Sequence, residues 1–374
     1  MEIQLYYGQS GLQKLKPYWL ALESIAQNPN HSHSFIWWQV YLDELAINPD
    51  EICFIYIYEN YEPVAICPLR KQVITRLGLI KSTVLNSIHD PNFLFPDIMV
   101  KEEYQYPGFL QEISRLLAQS MKWDLLVFGG VMGVLENSHL VSCLSQLPNA
   151  RLFKEDEIGC FFVLMDDFES LQQRLSSKNR ANLRRTTKKV YAYEDCLHQT
   201  ITDKSEIGLA LETFMEVEAA GWKGVTGKGT AIQSNPNLEC FYEKLTDAYS
   251  AKEQCHVNLL SVEGKVIAAQ FAFKLGDTVF MNKIGFNPDY NLLNPGNVLM
   301  GKQFERYCQD EQITKVNLMS SAGHLKKWAP ELESSYRIYY CNNSIIGIGI
   351  ASFFRLKPLF RRLKQCIRKI KYKK

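Results

Sequence analysis

Residues 294–297, with the sequence Asn-Pro-Gly-Asn, have the composition of a helix start that binds phosphate. Proline loses no hydrogen bond in the first turn of a helix, and glycine lets a ligand approach the backbone closely. The N-terminus of a helix presents free backbone N–H groups and the positive end of the helix dipole to an anion. We therefore expect Asn294, Pro295, Gly296 and Asn297 to hold a phosphate-bearing ligand; a simple strand-to-helix turn is the alternative.

A second candidate for anion binding is the basic stretch of a long helix predicted from Phe168 to Tyr191. Arg180, Arg184 and Lys188 are spaced four residues apart, so they fall on one face of a helix. That face suits a phosphate, a diphosphate or a lipid headgroup, because guanidinium groups bind such oxyanions through paired hydrogen bonds. The alternative is a solvated helix surface, which the repulsion between neighbouring cations disfavours.

Antiparallel strands are expected to position the helix that starts at residue 294. A hairpin runs from His256 to Phe273 through a Glu263-Gly264 turn, and a third apolar segment ends near Phe286. The start of the helix then lies beside the ends of these strands. This arrangement favours a ligand that contacts both the helix start and a strand edge.

An earlier hairpin repeats the same pattern. It runs from Glu51 to Leu69, and its returning strand has Ala65 where the second hairpin has Ala268, 203 residues later. Helix-like segments precede both hairpins, and further strands and a helix follow both. Tandem α/β domains explain the repetition, and a chain of 374 residues is long enough for two cores. The predicted units are a first domain over residues 1–165, a second over 166–343 and a basic amphipathic tail over 344–374.

The net charge of +2 hides an uneven distribution along the chain. Residues 355–374 contain ten lysines or arginines and no acidic residue, and removing these ten charges from +2 leaves −8 for the body. An acidic body argues against nucleic acid as a general partner. In the tail, apolar residues such as Phe354, Leu359 and Ile367 alternate with the cations, which is typical of a helix at an anionic membrane surface. Packing of the tail on the acidic body is the alternative.

Cysteine usage and the absence of targeting signals favour a cytoplasmic location. The ten cysteines are scattered without a C-x-x-C pair, mostly in apolar segments, as in reduced protein cores. The first residues lack the regions of a signal peptide, and no run of 18 apolar residues predicts a membrane span. His31 and His33 have no matching ligands nearby, so we expect no metal. The basic tail places the predicted location at the inner face of the cytoplasmic membrane.

The second half of the chain resembles the branch of the GNAT acyltransferase superfamily that includes cellulose and exopolysaccharide biosynthesis acetyltransferases, a branch related to the Fem aminoacyl ligases. The resemblance spans about residues 166–330, and the first half fits more loosely. The segments that carry it are Ser177–Arg185, Glu218, Gly221–Gly224, Gly229–Ala231, Phe241–Leu245 and Pro295-Gly296 in the second half, and Ser34-Phe35, Trp37-Trp38 and Phe95–Asp97 in the first.

The resemblance implies an α/β fold of the α+β type, with tandem GNAT-like domains that each contain a mixed, mainly antiparallel sheet flanked by helices. It implies acetyl-CoA or another acyl-CoA as the co-substrate at residues 294–297. It further implies an acceptor that is an amino or hydroxyl group of a sugar or glycan intermediate in polysaccharide or envelope synthesis. The chain departs from the family at Asn317, where an acidic residue is common, and at Leu325, where a tyrosine is common.

Attack of an amine on a thioester needs orientation, removal of a proton and stabilisation of an oxyanion. Glu218 is the first candidate for the base, because Trp222 and Lys223 are expected at the acceptor end of the groove; a surface salt bridge is the alternative. His324 is the second candidate, because histidine titrates near pH ~6.5. The candidate acceptor-binding residues are Trp222, Lys223, Lys326, Arg180 and Arg184.

The predicted function is therefore an acyl-CoA-dependent N- or O-acyltransferase, and two other functions stay open. One is a Fem-like aminoacyl ligase that uses aminoacyl-tRNA, in which the basic helix contacts RNA. The other is a catalytically inactive adaptor at the membrane, which Asn317 and Leu325 make plausible.

Overall fold

Alternating apolar residues form strands in both halves of the chain, and a computed structural model describes residues 1–26, 29–76, 80–88, 92, 96–106, 108–132, 152–224 and 227–357. Both predicted hairpins are present: Ile52–Glu59 pairs with Glu62–Arg76, and Cys255–Val262 pairs with Lys265–Leu275. The elements of the first half are β1 (Glu2–Tyr7), α1 (Gly8–Glu23), α2 (Phe35–Glu44), β2 (Ile52–Glu59), β3 (Glu62–Arg76), β4 (Ile80–Asn86), β5 (Met99–Val100), α3 (Phe109–Ser120), β6 (Leu125–Met132) and β7 (Leu152–Leu164).

The second half repeats this order after two connecting helices. The elements are α4 (Phe168–Arg174), α5 (Ser177–Val190), β8 (Leu197–Ile201), α6 (Ile207–Ala220), α7 (Pro236–Ser250), β9 (Cys255–Val262), β10 (Lys265–Leu275), β11 (Thr278–Phe286), α8 (Pro295–Tyr307), β12 (Lys315–Asn317), β13 (Glu331–Cys341) and α9 (345–357).

One mixed sheet contains all the strands of the described residues, in the order β1-β2-β3-β4-β6-β13-β7-β12-β11-β10-β9-β8, with β5 paired to β3. In each half, four antiparallel strands are followed by one parallel neighbour, which is β6 beside β4 and β12 beside β11. The predicted fold, a tandem arrangement of mixed, mainly antiparallel sheets flanked by helices, is confirmed.

The two halves exchange their last strands at the centre of the sheet. β7 is the last strand of the first half but pairs antiparallel with β12 of the second half. β13 ends the second half but pairs antiparallel with β6 of the first, and β7 and β13 also pair with each other. The sheet is therefore continuous across the two halves. The division of the chain at residue 165 stays a prediction.

Helices cover both faces of the sheet. On β10, Ala269, Phe271 and Phe273 pack in one core with α6 and α7, whereas Ala268 and Ala272 pack in cores with α8. Because successive residues of a strand point to opposite faces, α6 and α7 lie on one face and α8 on the other. The same first core contains α1 and α2, so it joins the helices of both halves.

The single long helix predicted from Phe168 to Tyr191 is wrong, because the segment forms α4 and α5. Leu175 and Ser176 are extended, and the Ser176 side chain caps α5 by accepting a hydrogen bond from the backbone N–H of Asn179. Phe95 and residues 358–374 of the predicted tail lie outside the described residues. Of the described helices, none is long and apolar enough to cross a membrane.

Candidate functional site

An open strand edge forms where β11 and β12 diverge. The two strands pair in parallel from Thr278 to Phe280 of β11, opposite Lys315–Asn317. Beyond Phe280 a β-bulge places two residues of β11, Met281 and Asn282, opposite one residue of β10. β12 ends at Asn317, whose side chain accepts a hydrogen bond from the backbone N–H of Met319, which has a φ of 53°. Residues 281–286 thus have no described strand partner on this side.

The predicted phosphate-binding residues form the start of α8. Asn294 has a left-handed backbone with a φ of 51°, and Pro295 is the first helical residue. A Cβ atom added at Gly296 would lie 3.7 Å from Cδ1 of Phe286 and 4.0 Å from Cδ1 of Ile284, so the helix start lies over the end of β11. In its first turn Pro295 has no N–H, and the N–H of Asn297 donates to the Asn294 carbonyl at 3.0 Å. The N–H of Gly296 is thus the first-turn donor for which no acceptor lies among the described residues.

Asn297 adds a buried polar group to the same turn. Its side chain is buried, and no hydrogen-bond donor of the described residues reaches its Oδ1 atom. A buried acceptor that lacks a donor costs free energy, so this atom favours a ligand or a water that donates to it. The turn therefore combines a backbone donor, a glycine and an unsatisfied buried acceptor, which suits a polar ligand.

Glu218 and Lys223 form an ion pair on the opposite face of β11. The Lys223 Nζ atom donates to Oε1 of the buried Glu218 at 2.6 Å and to the backbone carbonyl of Ile284 at 3.4 Å. The other oxygen, Oε2, accepts from the backbone N–H of Ile232 at 3.0 Å. A Cβ atom at Gly285 would lie only 2.7 Å from Cα of Glu218, so α6 and β11 are in close contact. Both carboxylate oxygens of Glu218 are occupied.

Trp222, beside this pair, is exposed to solvent. The ammonium group of Lys228 lies 5.1 Å from the centroid of its ring, and that of Lys223 lies 5.9 Å away. Lys223 and Trp222 therefore extend from the ion pair of Glu218 towards the surface, and their place at the acceptor end of a groove stays a prediction.

His324 and Lys326 lie in a short 3₁₀-helix, Gly323–Trp328, that follows β12. Both side chains are exposed. Partial burial, with a smaller contribution from Lys327, lowers the pKa of His324 below its usual value. The backbone carbonyl of Lys327 accepts a hydrogen bond from the Asn179 side chain at 3.1 Å, which joins this helix to the start of α5.

Arg180 and Arg184 line a cavity of about 570 Å³ between α4, α5 and α8. The Arg180 guanidinium donates to three backbone carbonyls at the end of α4, those of residues 172, 173 and 175. Arg184 and Lys188 are exposed and form no ion pair within the described residues, whereas Lys302 pairs with Glu305 at 2.8 Å. The cavity therefore keeps a net positive charge.

The structure divides the predicted acceptor-binding residues into two groups. Trp222 and Lys223 lie on the face of the sheet that α6 covers, whereas Arg180 and Arg184 lie on the face that α8 covers. Lys326 belongs to the second group through the contact of its helix with α5. The helix start and the Glu218 pair meet at Ile284, whose side chain faces Gly296 and whose carbonyl faces Lys223.

His31 of the first half contacts Asn282 of the second half, a contact that the sequence does not predict. His31 of the first half is fully buried and stacks on Trp37, with 3.9 Å between ring centroids. Its Nε2 atom lies 3.3 Å from Nδ2 of Asn282, at the bulge of β11. Burial lowers the pKa of His31 to about 3. The two residues are 251 positions apart, so no local pattern predicts the pair.

A known protein family matches the second half of the chain, which contains the open strand edge and the start of α8. Residues 177–327 match the family described as Acetyltransferase (GNAT) domain. The matched segment contains β11, α8, β12 and almost all of the 3₁₀-helix. The second half of the chain is thus GNAT-like, and the match covers less than half of the whole chain. Among curated proteins, none matches.

Solved structures resemble the chain over most of its length. The crystal structure of FemX has a TM-score of 0.57 at 10% identity, over 92% of this chain and 98% of that one. The C-terminal domain of a putative lysylphosphatidylglycerol synthetase from Agrobacterium fabrum has a TM-score of 0.52 at 11% identity, over 92% and 97%. A conserved protein of unknown function from Bacteroides thetaiotaomicron scores 0.51 at 12% identity, over 91% and 100%. These similarities concern the fold.

Proposed function

We propose that this protein is an acyltransferase that moves an acyl group, in the first instance acetyl, from coenzyme A to an amino or hydroxyl group. The observation that carries the proposal is the open edge of β11 beside the start of α8. A strand edge without a partner offers backbone groups to an extended ligand, and a helix start offers donors to its phosphates. The match of residues 177–327 to a GNAT domain supports the same activity.

In this proposal acyl-CoA supplies an activated thioester, and the residues of the chain bind and orient it. The backbone N–H of Gly296 and the side-chain amide of Asn297 contact the phosphates, and Asn294 and Pro295 set the direction of the helix start. The backbone of residues 281–286 holds the extended part of the ligand, as a neighbouring strand would. Nothing in this scheme requires a metal.

Glu218 and His324 are the two proposed bases, and their surroundings differ. Glu218 is held by Lys223 and by the backbone N–H of Ile232, so it takes a proton only if Lys223 moves or relays it. His324 is exposed, and its lowered pKa keeps it neutral at pH 7, the form that accepts a proton. Replacing each in turn, by Gln at Glu218 and by Ala at His324, identifies the base by the larger loss of kcat.

For the acceptor we propose a sugar or glycan intermediate of polysaccharide or envelope synthesis that carries phosphate. This step relies on the resemblance described for the sequence, because a fold does not determine a substrate. Trp222 and Lys223 contact the acceptor near the open edge. Arg180 and Arg184 bind an anionic part of a ligand in the cavity on the other face, and Lys326, outside the lining of that cavity, binds it from the neighbouring 3₁₀-helix. We place the protein in the cytoplasm, at the inner face of the membrane.

Two alternatives make different predictions. The first alternative is a Fem-like aminoacyl ligase, which the similarity in fold to FemX supports. Such a ligase binds aminoacyl-tRNA and not acetyl-CoA. An inactive adaptor binds neither. Calorimetry with acetyl-CoA and with aminoacyl-tRNA separates the three functions, and absence of acetyl-CoA binding at millimolar ligand refutes our proposal.

The position of the ligand is tested with Gly296→Glu. The new carboxylate suits a helix start, so the protein folds, but it repels phosphate, and we expect acetyl-CoA binding to weaken by about tenfold or more. The control is Asn237→Glu, which places the same charge at the same position of α7, after Pro236. Equal binding by the two variants would remove the start of α8 from the site.

A further inference from the structure

The last described helix, α9, is fixed to the sheet by one of its faces. Phe354 packs on Phe153 and Tyr339, with 4.9 and 4.6 Å between ring centroids, and Ala351 is buried in the same small core. The Ser344 hydroxyl, just before the helix, donates a hydrogen bond to Asp124 at 2.5 Å. The helix is therefore held in one orientation on the body.

The opposite face of α9 is apolar and exposed. Ile345 is 91% exposed, Ile348 51%, Phe353 58% and Leu356 46%. At about 100° per residue, these four side chains fall within an arc of about 140°. Gly349 and Ser352 are the other residues in that arc, so it contains no charge. We call this surface the apolar face of α9.

Cations flank the apolar face. Arg355 lies about 20° beyond one edge of the arc. Lys357 lies about 40° beyond the other edge, where its ammonium group forms an ion pair with Glu155 of the body. The sequence after residue 357 contributes eight more lysines and arginines and no acidic residue. Apolar side chains followed by cations, on a helix whose described part is too short to cross a bilayer, are typical of helices that lie in a membrane interface.

We propose that the apolar face of α9 inserts into the interface of an anionic bilayer, with the helix axis parallel to the membrane and the sheet above it. Charge selects this partner. A second copy of the chain would bring cations against cations, whereas an anionic leaflet neutralises them, and each cation near such a leaflet adds about fivefold to binding. This proposal is independent of acyl transfer.

The test is binding of the full chain to vesicles of phosphatidylcholine, with and without phosphatidylglycerol. We expect binding only to the anionic vesicles, and about 100-fold weaker binding after Ile348→Gln and Phe353→Gln together, because both apolar side chains then leave the interface. Gln is a good helix former, so α9 is retained. The control pair, Ile47→Gln and Leu292→Gln, changes side chains that are 91% and 92% exposed elsewhere and leaves binding unchanged.

Three results would overturn the proposal. The first is unchanged vesicle binding by the α9 double variant, and the second is equal binding to vesicles with and without phosphatidylglycerol. The third is a lower particle mass in lipid-free solution for the α9 double variant than for the wild type, which would identify a second copy of the chain as the partner. Acetyl-CoA binding by the α9 pair, measured without lipid, stays as in the wild type. A loss of vesicle binding with retained acetyl-CoA binding thus separates this proposal from the proposed function.

Discussion

A buried carboxylate holds the loop after α6 against β11. Glu218 accepts hydrogen bonds from the Lys223 ammonium and from the backbone N–H of Ile232, and the same ammonium contacts the carbonyl of Ile284. The pair thus links three segments at the open strand edge. Replacing Glu218 removes this structural link together with any role in proton transfer. Stability and activity of a Glu218 variant therefore have to be measured separately.

We expect Glu218→Gln to lower the free energy of unfolding by about 3 kcal/mol, because Lys223 then keeps a partly buried charge without its partner. The matched control is Asp247→Asn, which removes an exposed pair with Lys204 at 3.1 Å and costs less than about 1 kcal/mol. Urea unfolding at pH 7 measures both. Equal, small losses would contradict the importance of the buried pair.

His31 makes stability depend on pH. Burial lowers its pKa to about 3 in the folded protein, whereas the unfolded chain binds the proton near pH ~6.5. Below pH ~6.5 the unfolded state therefore takes up more protons, and stability falls as the pH falls towards 3. At pH 5 the loss from His31 is roughly 2 kcal/mol.

The variant His31→Gln keeps a polar partner for Asn282 but does not titrate. Urea unfolding at pH 7.5 and pH 5.0 should show a smaller loss on acidification in the variant than in the wild type. His256, whose pKa burial lowers to about 4, contributes to both proteins and cancels in the comparison. The same loss in both proteins would mean that His31 is protonated in the fold.

At the scale of elements, the cavity that Arg184 lines depends on the close packing of α5 on α8. A Cβ atom at Gly301 would lie 3.1 Å from Cδ1 of Leu183 and 3.4 Å from Cη2 of Trp328, and both side chains are buried. A side chain at residue 301 would therefore push Leu183 and Trp328 away from α8 by a few tenths of an ångström. Gly208 in α6 has no atom within 4 Å of the same position.

We expect Gly301→Ala to destabilise the protein by about 1 kcal/mol, because overpacking exceeds the gain in helix propensity. Gly208→Ala should stabilise it by about 0.5 kcal/mol, since only the propensity changes. Thermal unfolding distinguishes the two signs. A stabilising Gly301→Ala would show that Leu183 and Trp328 yield, and that the two helices are not held at this distance.

At the scale of the molecule, the exchange of β7 and β13 joins the two halves. β12 has only three residues and has β7 as one of its two neighbours, so without β7 it becomes a short edge strand. The boundary predicted at residue 165 separates β7 from the half with which it pairs. The boundary in sequence and the boundary in the sheet therefore differ.

We expect a fragment of residues 166–343 to be unfolded when it is expressed alone, because β12 and β13 both lack β7. Extension to residues 152–343 restores β7 and should restore folding to a measurable degree. Circular dichroism and two-dimensional NMR spectra of the two fragments provide the comparison. A folded 166–343 fragment would show that the exchanged strand is dispensable.

Local chemistry was enough to predict the hairpins, the helix start at residue 294 and the basic face of α5. Alternation with a period of two, a Glu-Gly turn and a proline in the first helical turn act within a few residues. The prediction of one long helix from Phe168 was wrong because it considered only the charge pattern. Ser176 is an N-cap residue, which starts a new helix, and the prediction placed it inside a helix.

By itself, the sequence determined the repeated order of elements, the GNAT-like second half, and the position of the helix start at Asn294 and Pro295. Only the tertiary structure decided that β7 and β13 are exchanged, that His31 contacts Asn282, and that the candidate acceptor-binding residues lie on two faces. The physical reason is that apolar strands pair equally well with many partners, so pairing between distant segments is selected by the packing of the whole sheet and its helices.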